Sequence, residues 1–203
     1  MNRRYLSCLC LLIAFTIVAC ADREGETSKP NPSQIALLNP GFELPSSSDH
    51  SISGWNTSQH AGEPSYDMAV DDVDAASGKQ SFRITQTQPE AYGMLEQHVA
   101  APANLVGKTM RLTARMKTKN VGPKGWTLFL FMVDGTDYVT ISYESPPVLG
   151  TTEWQQVEII GKVLPKTTKF TVGAHLADSG NGGVAWLDDV DLRVVEDGSP
   201  AKP

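Results

Sequence analysis

Short runs of alternating apolar and polar residues recur along most of the chain. In residues 109–117 the even positions are apolar and the odd positions are polar or charged, which is the period of a strand with one buried face. Comparable apolar sets separated by Gly, Pro, Asn or Asp occur at 35–44, 66–70, 81–86, 93–99, 139–143, 154–163, 170–176 and 186–194. Beyond the first twenty residues no helical period extends over ten residues. The sequence therefore predicts an all-β, two-sheet antiparallel sandwich of the jelly-roll type.

Residues 126–133 (WTLFLFMV) break the alternation, because nearly every position is apolar. In a two-layer sandwich such a strand is either covered on its outer side or lines a binding surface. If the strand lines a cleft, Trp126 is a candidate ligand-binding residue, since aromatic faces stack on apolar ligand surfaces. Tyr138, Arg111 and Arg115 are then its predicted companions. If the strand is covered, Trp126 belongs to the core, where the other tryptophans, Trp55, Trp154 and Trp186, are predicted to pack.

The first residues predict an export signal. Arg3 and Arg4 precede an apolar run that ends at Cys20, and this order resembles the leader of a bacterial lipoprotein. The resemblance implies a signal peptide over 1–19, lipidation of Cys20 and, because Ala21 follows, sorting to the outer membrane. An ordinary signal peptide with an incidental cysteine is the alternative. Residues 20–33 are predicted to be a lipidated, flexible tether, 34–197 the β-sandwich domain and 198–203 a disordered tail.

Charge and residue usage narrow the function further. Loss of residues 1–19 removes two of the 17 basic residues and none of the 23 acidic ones, which leaves a formal charge of −8. An acidic exported chain is a poor candidate for nucleic-acid binding. The histidines lack zinc-ligand spacing and no nucleophile motif is present, so we predict that the protein is not an enzyme. The acidic residues 71–74 lack the glycine and terminal glutamate of an EF-hand loop and predict a solvated turn.

Five short motifs occur in a characteristic order along residues 34–196. They are Asn39-Pro40-Gly41-Phe42-Glu43, Gly54-Trp55, the GKQS of 78–81, Glu153-Trp154 and the LDDV of 187–190. This order resembles the galactose-binding-like jelly roll of many carbohydrate-binding modules. Each motif alone is weak, and the set specifies the fold better than it specifies sugar binding.

The same resemblance implies a structural calcium ion. Its ligands would be Glu43, Asp188 or Asp189, and backbone carbonyls around Gly41 and Lys79; carboxylates and carbonyls are the hard oxygen ligands that Ca²⁺ prefers. The alternative is that these carboxylates face solvent or cap turns. Which aspartate faces inward is open, because a bulge would exchange the two faces of the strand.

The sequence predicts a non-catalytic, lipid-anchored binding module of the cell envelope, with carbohydrate as its ligand. The alternative is a structural or protein-interaction lipoprotein that docks an envelope partner through an exposed apolar sheet face. The predicted membrane contact is the lipid on Cys20. The sequence leaves open whether the domain faces the periplasm or the cell surface.

Overall fold

A computed structural model of the protein describes residues 33–46, 51–177 and 182–195. These residues belong to the compact unit Asn31–Pro203. The predicted signal peptide, the lipidation site Cys20, the tether up to residue 32 and the tail 198–203 lie outside the described residues. Within the described ranges, no helix has the length and apolar character needed to cross a membrane.

The described chain forms ten strands and one turn of 3₁₀ helix, Ala103–Leu105. The strands are β1 (Gln34–Ile35), β2 (Asn56–Gln59), β3 (Tyr66–Asp71), β4 (Ser81–Gln86), β5 (Tyr92–Ala100), β6 (Thr109–Asp134), β7 (Val139–Glu144), β8 (Val148–Lys162), β9 (Thr167–Ala177) and β10 (Val184–Val195).

These strands form two antiparallel sheets. In sheet I the order is β3, β4, β10, the first half of β6 and β8, and β1 pairs with β10 on the same edge as β4. In sheet II the order is β2, β5, β9, the second half of β6 and β7. The predicted two-sheet antiparallel sandwich of the jelly-roll type is confirmed.

Strand β6 belongs to both sheets. Residues 109–119 pair with β10, and residues 126–134 pair with β9. Between them Asn120 (φ 55°) and Gly125 (φ 80°) take left-handed backbone conformations, which L-residues other than glycine and asparagine rarely adopt. The pairing of β6 passes from β10 to β9 across this irregular stretch, so the two halves of β6 belong to opposite layers of the sandwich.

The core lies between the sheets and follows the alternation of the sequence. Even positions of the first half of β6 are buried, from Met110 to Met116. Phe82 and Ile84 of β4 and Leu95 of β5 are also fully buried and belong to the same cluster. Period-two patterning therefore located the inner faces of these strands.

The predicted strand over residues 35–44 is wrong for most of its length. Strand β1 ends at Ile35, and the chain then turns at Asn39 (φ 51°) and Phe42 (φ 59°). The Phe42 N–H donates to the Asn39 carbonyl at 3.2 Å, while the Phe42 ring is fully buried. Pro40 cannot donate a hydrogen bond to a ladder, which favours a turn at this point.

Candidate functional site

The prediction that Trp126 binds a ligand requires correction. Its side chain is fully buried, its indole N–H donates to the Trp186 carbonyl at 3.1 Å, and its ring stacks on Phe82 at 6.4 Å. Trp126 occupies an inward position of β6, so its ring has no surface on which a ligand could lie. The covered-core alternative describes Trp126 correctly.

The structure does not gather the other predicted ligand residues into one cleft. Arg111 forms an ion pair with Glu158 at 2.9 Å, and Arg115 donates to the Trp154 carbonyl at 3.2 Å. Both arginines lie on the outer face of sheet I. Tyr138 is 68% exposed and lies in the turn that joins β6 to β7, two strands of sheet II.

The outward residues of the second half of β6 are Thr127, Phe129, Phe131 and Val133. Phe129 is fully buried but lies outside the main core cluster, because its ring lies over the backbone of β9. A Cβ atom added to Gly173 would meet the tip of the Phe129 ring at 2.8 Å and the Leu95 carbonyl at 2.0 Å. Glycine at 173 therefore lets the ring lie flat on the outer surface of sheet II.

Aromatic and imidazole rings continue from Phe129 across this surface. Phe129 stacks on Phe131 at 4.3 Å between ring centres and on His175 of β9 at 6.1 Å. His175 meets Tyr92 of β5 edge-on at 6.5 Å, and Tyr92 meets His60, just beyond β2, at 5.6 Å. We call these five residues the ring row; it crosses sheet II from β2 to β6.

Glutamates accompany the histidines of this face. Glu90 lies 3.1 Å from His60, and Glu144 lies 3.9 Å from His175. Next to the row, Glu96 lies 3.6 Å from His98. Burial lowers the pKa of His175, and the nearby Glu144 opposes this shift. His175 is consequently a neutral imidazole at pH 7, able to donate or accept a hydrogen bond.

The register fixes where two of these carboxylates stand. Glu96 pairs with Gly173, Gly173 with Phe129, and Phe129 with Glu144. Because these residues are successive partners across the sheet, Glu96 and Glu144 flank the Phe129 ring on opposite sides. The Phe129 ring itself is fully buried, so a sugar can pack only on the more exposed rings beside it, while the glutamates accept hydrogen bonds from its hydroxyls.

Sequence reasoning missed the ring row, although part of its signal was present. Period two places Phe129 and Phe131 on the face opposite Trp126, and His175 opposite its apolar neighbours Ala174 and Leu176. Which outward rings meet across strands depends on register, and no short-range signal in the sequence specifies that register.

The residues predicted to hold calcium do lie together. One Glu43 carboxylate oxygen accepts the backbone N–H groups of Lys79 at 2.7 Å and Gln80 at 3.0 Å. These bonds lower the pKa of Glu43. Glycine suits position 78, because its φ of 63° is strained for other residues and a Cβ atom would lie 2.1 Å from the same carboxylate oxygen.

Asp188 is the inward member of the aspartate pair. It is fully buried, and one of its oxygens accepts the N–H groups of Ala76 at 2.9 Å and Ser77 at 3.1 Å. Burial raises the pKa of Asp188 to about 6. Asp189 is exposed, because the register of β10 shifts between residues 188 and 191.

The donor chemistry of this cluster suits a hard cation only in part. A Cβ atom at Gly41 would lie 3.8 Å from an Asp188 oxygen and 4.0 Å from both an Asp189 oxygen and the Glu43 Cγ, so two carboxylates and the stem of a third acidic side chain lie near this glycine. Backbone N–H groups already bond to their oxygens, and among the described residues no group of three Asp, Glu, His or Cys is arranged to hold a metal. Calcium held by two carboxylates and carbonyls stays a prediction.

A cleft of about 680 Å³ lies between β2 and β3, which are edge strands of the two sheets. Gln59 of β2 and Tyr66 and Met68 of β3 line it. The Gln59 amide donates to the carbonyl of Glu63 at 2.7 Å, and its oxygen accepts the N–H of Ser65 at 2.8 Å. The Gln59 side chain is therefore engaged by the chain itself.

No family model matches the chain. One curated relative, an uncharacterized HTH-type transcriptional regulator, YbfP of Bacillus subtilis, is 27% identical over 143 residues. The match covers 67% of this chain and 46% of the relative, so the chain spans about half the length of that protein.

Solved structures of similar fold include binding modules and an enzyme. A cyclase from Fischerella sp. TAU matches with a TM-score of 0.56 at 16% identity, covering 84% of this chain and 99% of the cyclase. The module TmCBM61, solved with β-1,4-galactotriose, matches at 0.53 and 21% identity, covering 80% of this chain and all of the module. The xylan-binding domain CBM22-1 of Paenibacillus barcinonensis matches at 0.50 and 14% identity, covering 81% and 96%. These similarities place the chain among jelly-roll domains with the fold of carbohydrate-binding modules.

Proposed function

We propose that the protein binds carbohydrate on the outer face of sheet II, along the ring row. The observation that carries this proposal is the unbroken succession of rings from His60 to Phe131, with glutamates beside them. The fold, common to modules solved with a galactotriose or described as xylan-binding, supports it. An extended series of rings suits a glycan chain of several sugars better than a single sugar.

The proposed binding is non-catalytic. Glu96 and Glu144 are three ladder positions apart, which places their backbones about 14 Å apart at the usual strand spacing. The two carboxylates that cleave a glycosidic bond stand only roughly 5–9.5 Å apart. The spacing of these two glutamates suits contacts with different sugars of one chain.

We further propose that the module is a lipoprotein, attached through Cys20 to the outer membrane. The basic start, the apolar run and the Ala-Cys junction support this part of the proposal. The substitution Cys20→Ala should move the protein from the membrane fraction to the soluble fraction, while Cys10→Ala, inside the leader, should not. Membrane-bound Cys20→Ala protein with unchanged gel mobility would refute lipidation.

Binding is tested by comparing two tyrosines. The purified protein is screened against a polysaccharide array, and Tyr92→Ala is compared with Tyr138→Ala on every glycan that binds. Tyr92 belongs to the ring row, whereas Tyr138 is an exposed ring outside it. We expect Tyr92→Ala to weaken binding about tenfold, equivalent to about 1.4 kcal/mol, and Tyr138→Ala to leave it unchanged.

Two results would count against the proposal. Equal loss of affinity in both variants would remove the ring row from the binding site. If no glycan binds, the alternative of a lipoprotein that docks an envelope protein replaces it.

A further inference from the structure

We infer that the ring row selects glycans without acidic groups, so that neutral and amino-substituted chains bind and uronate or sulfated chains are excluded. This inference deepens the proposed function and rests on it. The side chains on this sheet face determine which ligand charge the site accepts. The fold alone leaves that charge open.

The first observation is the sign of the charges on this face. The side chains of Glu90, Glu96 and Glu144 are 14%, 19% and 46% exposed, so each is reachable or close to the surface. Their nearest ionisable neighbours are imidazoles, and burial keeps the pKa of His175 below its usual range. At pH 7 the face therefore presents negative charge around an apolar floor.

The second observation concerns cations. On the described strands of sheet II, the basic side chain of the outer face is Lys169, and it binds Asp137 at 2.7 Å at one end of the sheet. Two cations of sheet I are also engaged: Arg83 pairs with Asp67 at 2.9 Å and Lys117 with Asp74 at 2.7 Å. An acidic glycan on the ring row would thus find glutamates and no free cationic partner among the described side chains there.

These charges act differently on the two kinds of ligand. A sugar hydroxyl can donate to a glutamate, and a hydrogen bond to an ionised acceptor is stronger than one between neutral groups. A ligand carboxylate or sulfate at the same place loses water against the rings and meets a like charge at short range. Exclusion by repulsion is a common source of specificity.

The experiment uses probes that share a backbone and differ in charge. Three pairs are titrated against the purified protein by calorimetry: cello-oligosaccharides and their C6-oxidised uronates, xylan with and without glucuronic acid, and a desulfated carrageenan and its native sulfated form. A chitosan oligomer supplies the cationic arm. We expect the neutral member of each pair that binds to bind at least about tenfold more tightly than the acidic member at 20 mM salt. Raising the salt to 0.5 M should narrow the difference, because screening weakens the repulsion.

Variants identify the groups responsible. The double substitution Glu96→Gln and Glu144→Gln should bring the affinities of the neutral and acidic members within about threefold of each other. The matched control is Glu153→Gln, a 92% exposed glutamate of sheet I, which should leave the discrimination intact. If the double variant does not fold, Glu144→Gln alone provides the test, since Glu144 is the most exposed of the three.

The outcomes separate this inference from the proposed function. Acidic members that bind as tightly as the neutral ones, or discrimination that survives removal of the glutamates, would overturn the charge selection and leave glycan binding in place. Failure of every neutral, acidic and cationic probe to bind would overturn the proposed function itself.

Discussion

The outer faces of the two sheets both carry aromatic rings and charges, but the rings have different contacts on each sheet. On sheet I the acidic residues 71–74 fold over the rings: Asp71 accepts the Trp186 indole N–H at 2.8 Å, and Asp74 accepts that of Trp154 at 2.9 Å. Lys117 also binds Asp74 and lies 5.7 Å from the centre of the Trp186 ring. The prediction that residues 71–74 form a solvated turn is therefore wrong for Asp71 and Asp74.

On sheet II the rings form a continuous row with carboxylates at its margins. Their contacts are with one another and with glutamates that stay near the surface. Ring size therefore does not distinguish the packed face from the accessible one. The tryptophans Trp126 and Trp186 are used for packing, while Tyr92, Phe131 and His175 lie where a ligand can approach.

The largest effect should come from Trp126, which the sequence left open as either a ligand-binding or a core residue. Trp126→Ala should lower the free energy of unfolding by about 3–5 kcal/mol, typical of a buried aromatic replaced by alanine. Tyr92→Ala, a partly exposed ring, should cost much less. Urea denaturation of both variants measures the difference, and a small loss for Trp126→Ala would show that the ring is not core.

The fold was predictable because each strand has a buried face that the period-two pattern marks, as in residues 109–117. The site was less predictable. Trp126 and Phe129 belong to the same apolar run, and choosing the outward set requires knowing which face meets the other sheet. The bulge at Asp188 and the turn at Asn39 depend on hydrogen bonds to distant parts of the chain, and the local pattern does not contain those partners.

Calcium, if bound, should stabilise the segment around residues 71–80, which packs on the outer face of sheet I, and leave sheet II unchanged. Glu43 and Asp188 hold residues 76–80 through backbone N–H groups, next to the acidic residues 71–74. Because a ligand of the folded state stabilises it, saturating calcium should raise Tm by several degrees. Glu43→Gln should abolish the gain, while Glu153→Gln keeps it.

The measurement compares thermal unfolding in calcium and in a chelator, after the purified protein has been stripped of metal. Equal Tm values in the two conditions would leave Glu43 and Asp188 as acceptors for backbone N–H groups, without a metal. Both outcomes concern the stability of the fold alone. We expect the affinity of the ring row for glycans to be the same in calcium and in the chelator.

A smaller effect should follow from weakening the contacts that residues 71–74 make on the outer face of sheet I. Asp74→Asn removes the ion pair with Lys117 and weakens the bond from the Trp154 indole, and it should cost about 1 kcal/mol because Asp74 is partly exposed. Glycan affinity should not change, since the proposed site lies on the other sheet. A parallel loss of affinity would mean that the two outer faces are coupled.

The smallest predicted effect is the pH dependence contributed by His175. Burial lowers its folded pKa below the ordinary 6.5, so the unfolded chain takes up a proton at a higher pH than the folded chain does. The stability associated with neutral His175 is present above about pH 6.5 and is lost as the pH falls towards the folded pKa. Relative to His175→Gln, the wild-type protein should therefore lose stability between pH 7.5 and pH 5.

Nuclear magnetic resonance during a glycan titration tests the central claim most directly, because both faces carry distinct side-chain reporters. The imidazole signals of His175 and His60 report on the ring row, and the indole N–H signals of Trp154 and Trp186 report on the outer face of sheet I. The account predicts that a bound glycan shifts the imidazole signals and leaves the indole signals in place. Shifts of the two indoles with unchanged imidazoles would contradict it and would move the binding site to sheet I.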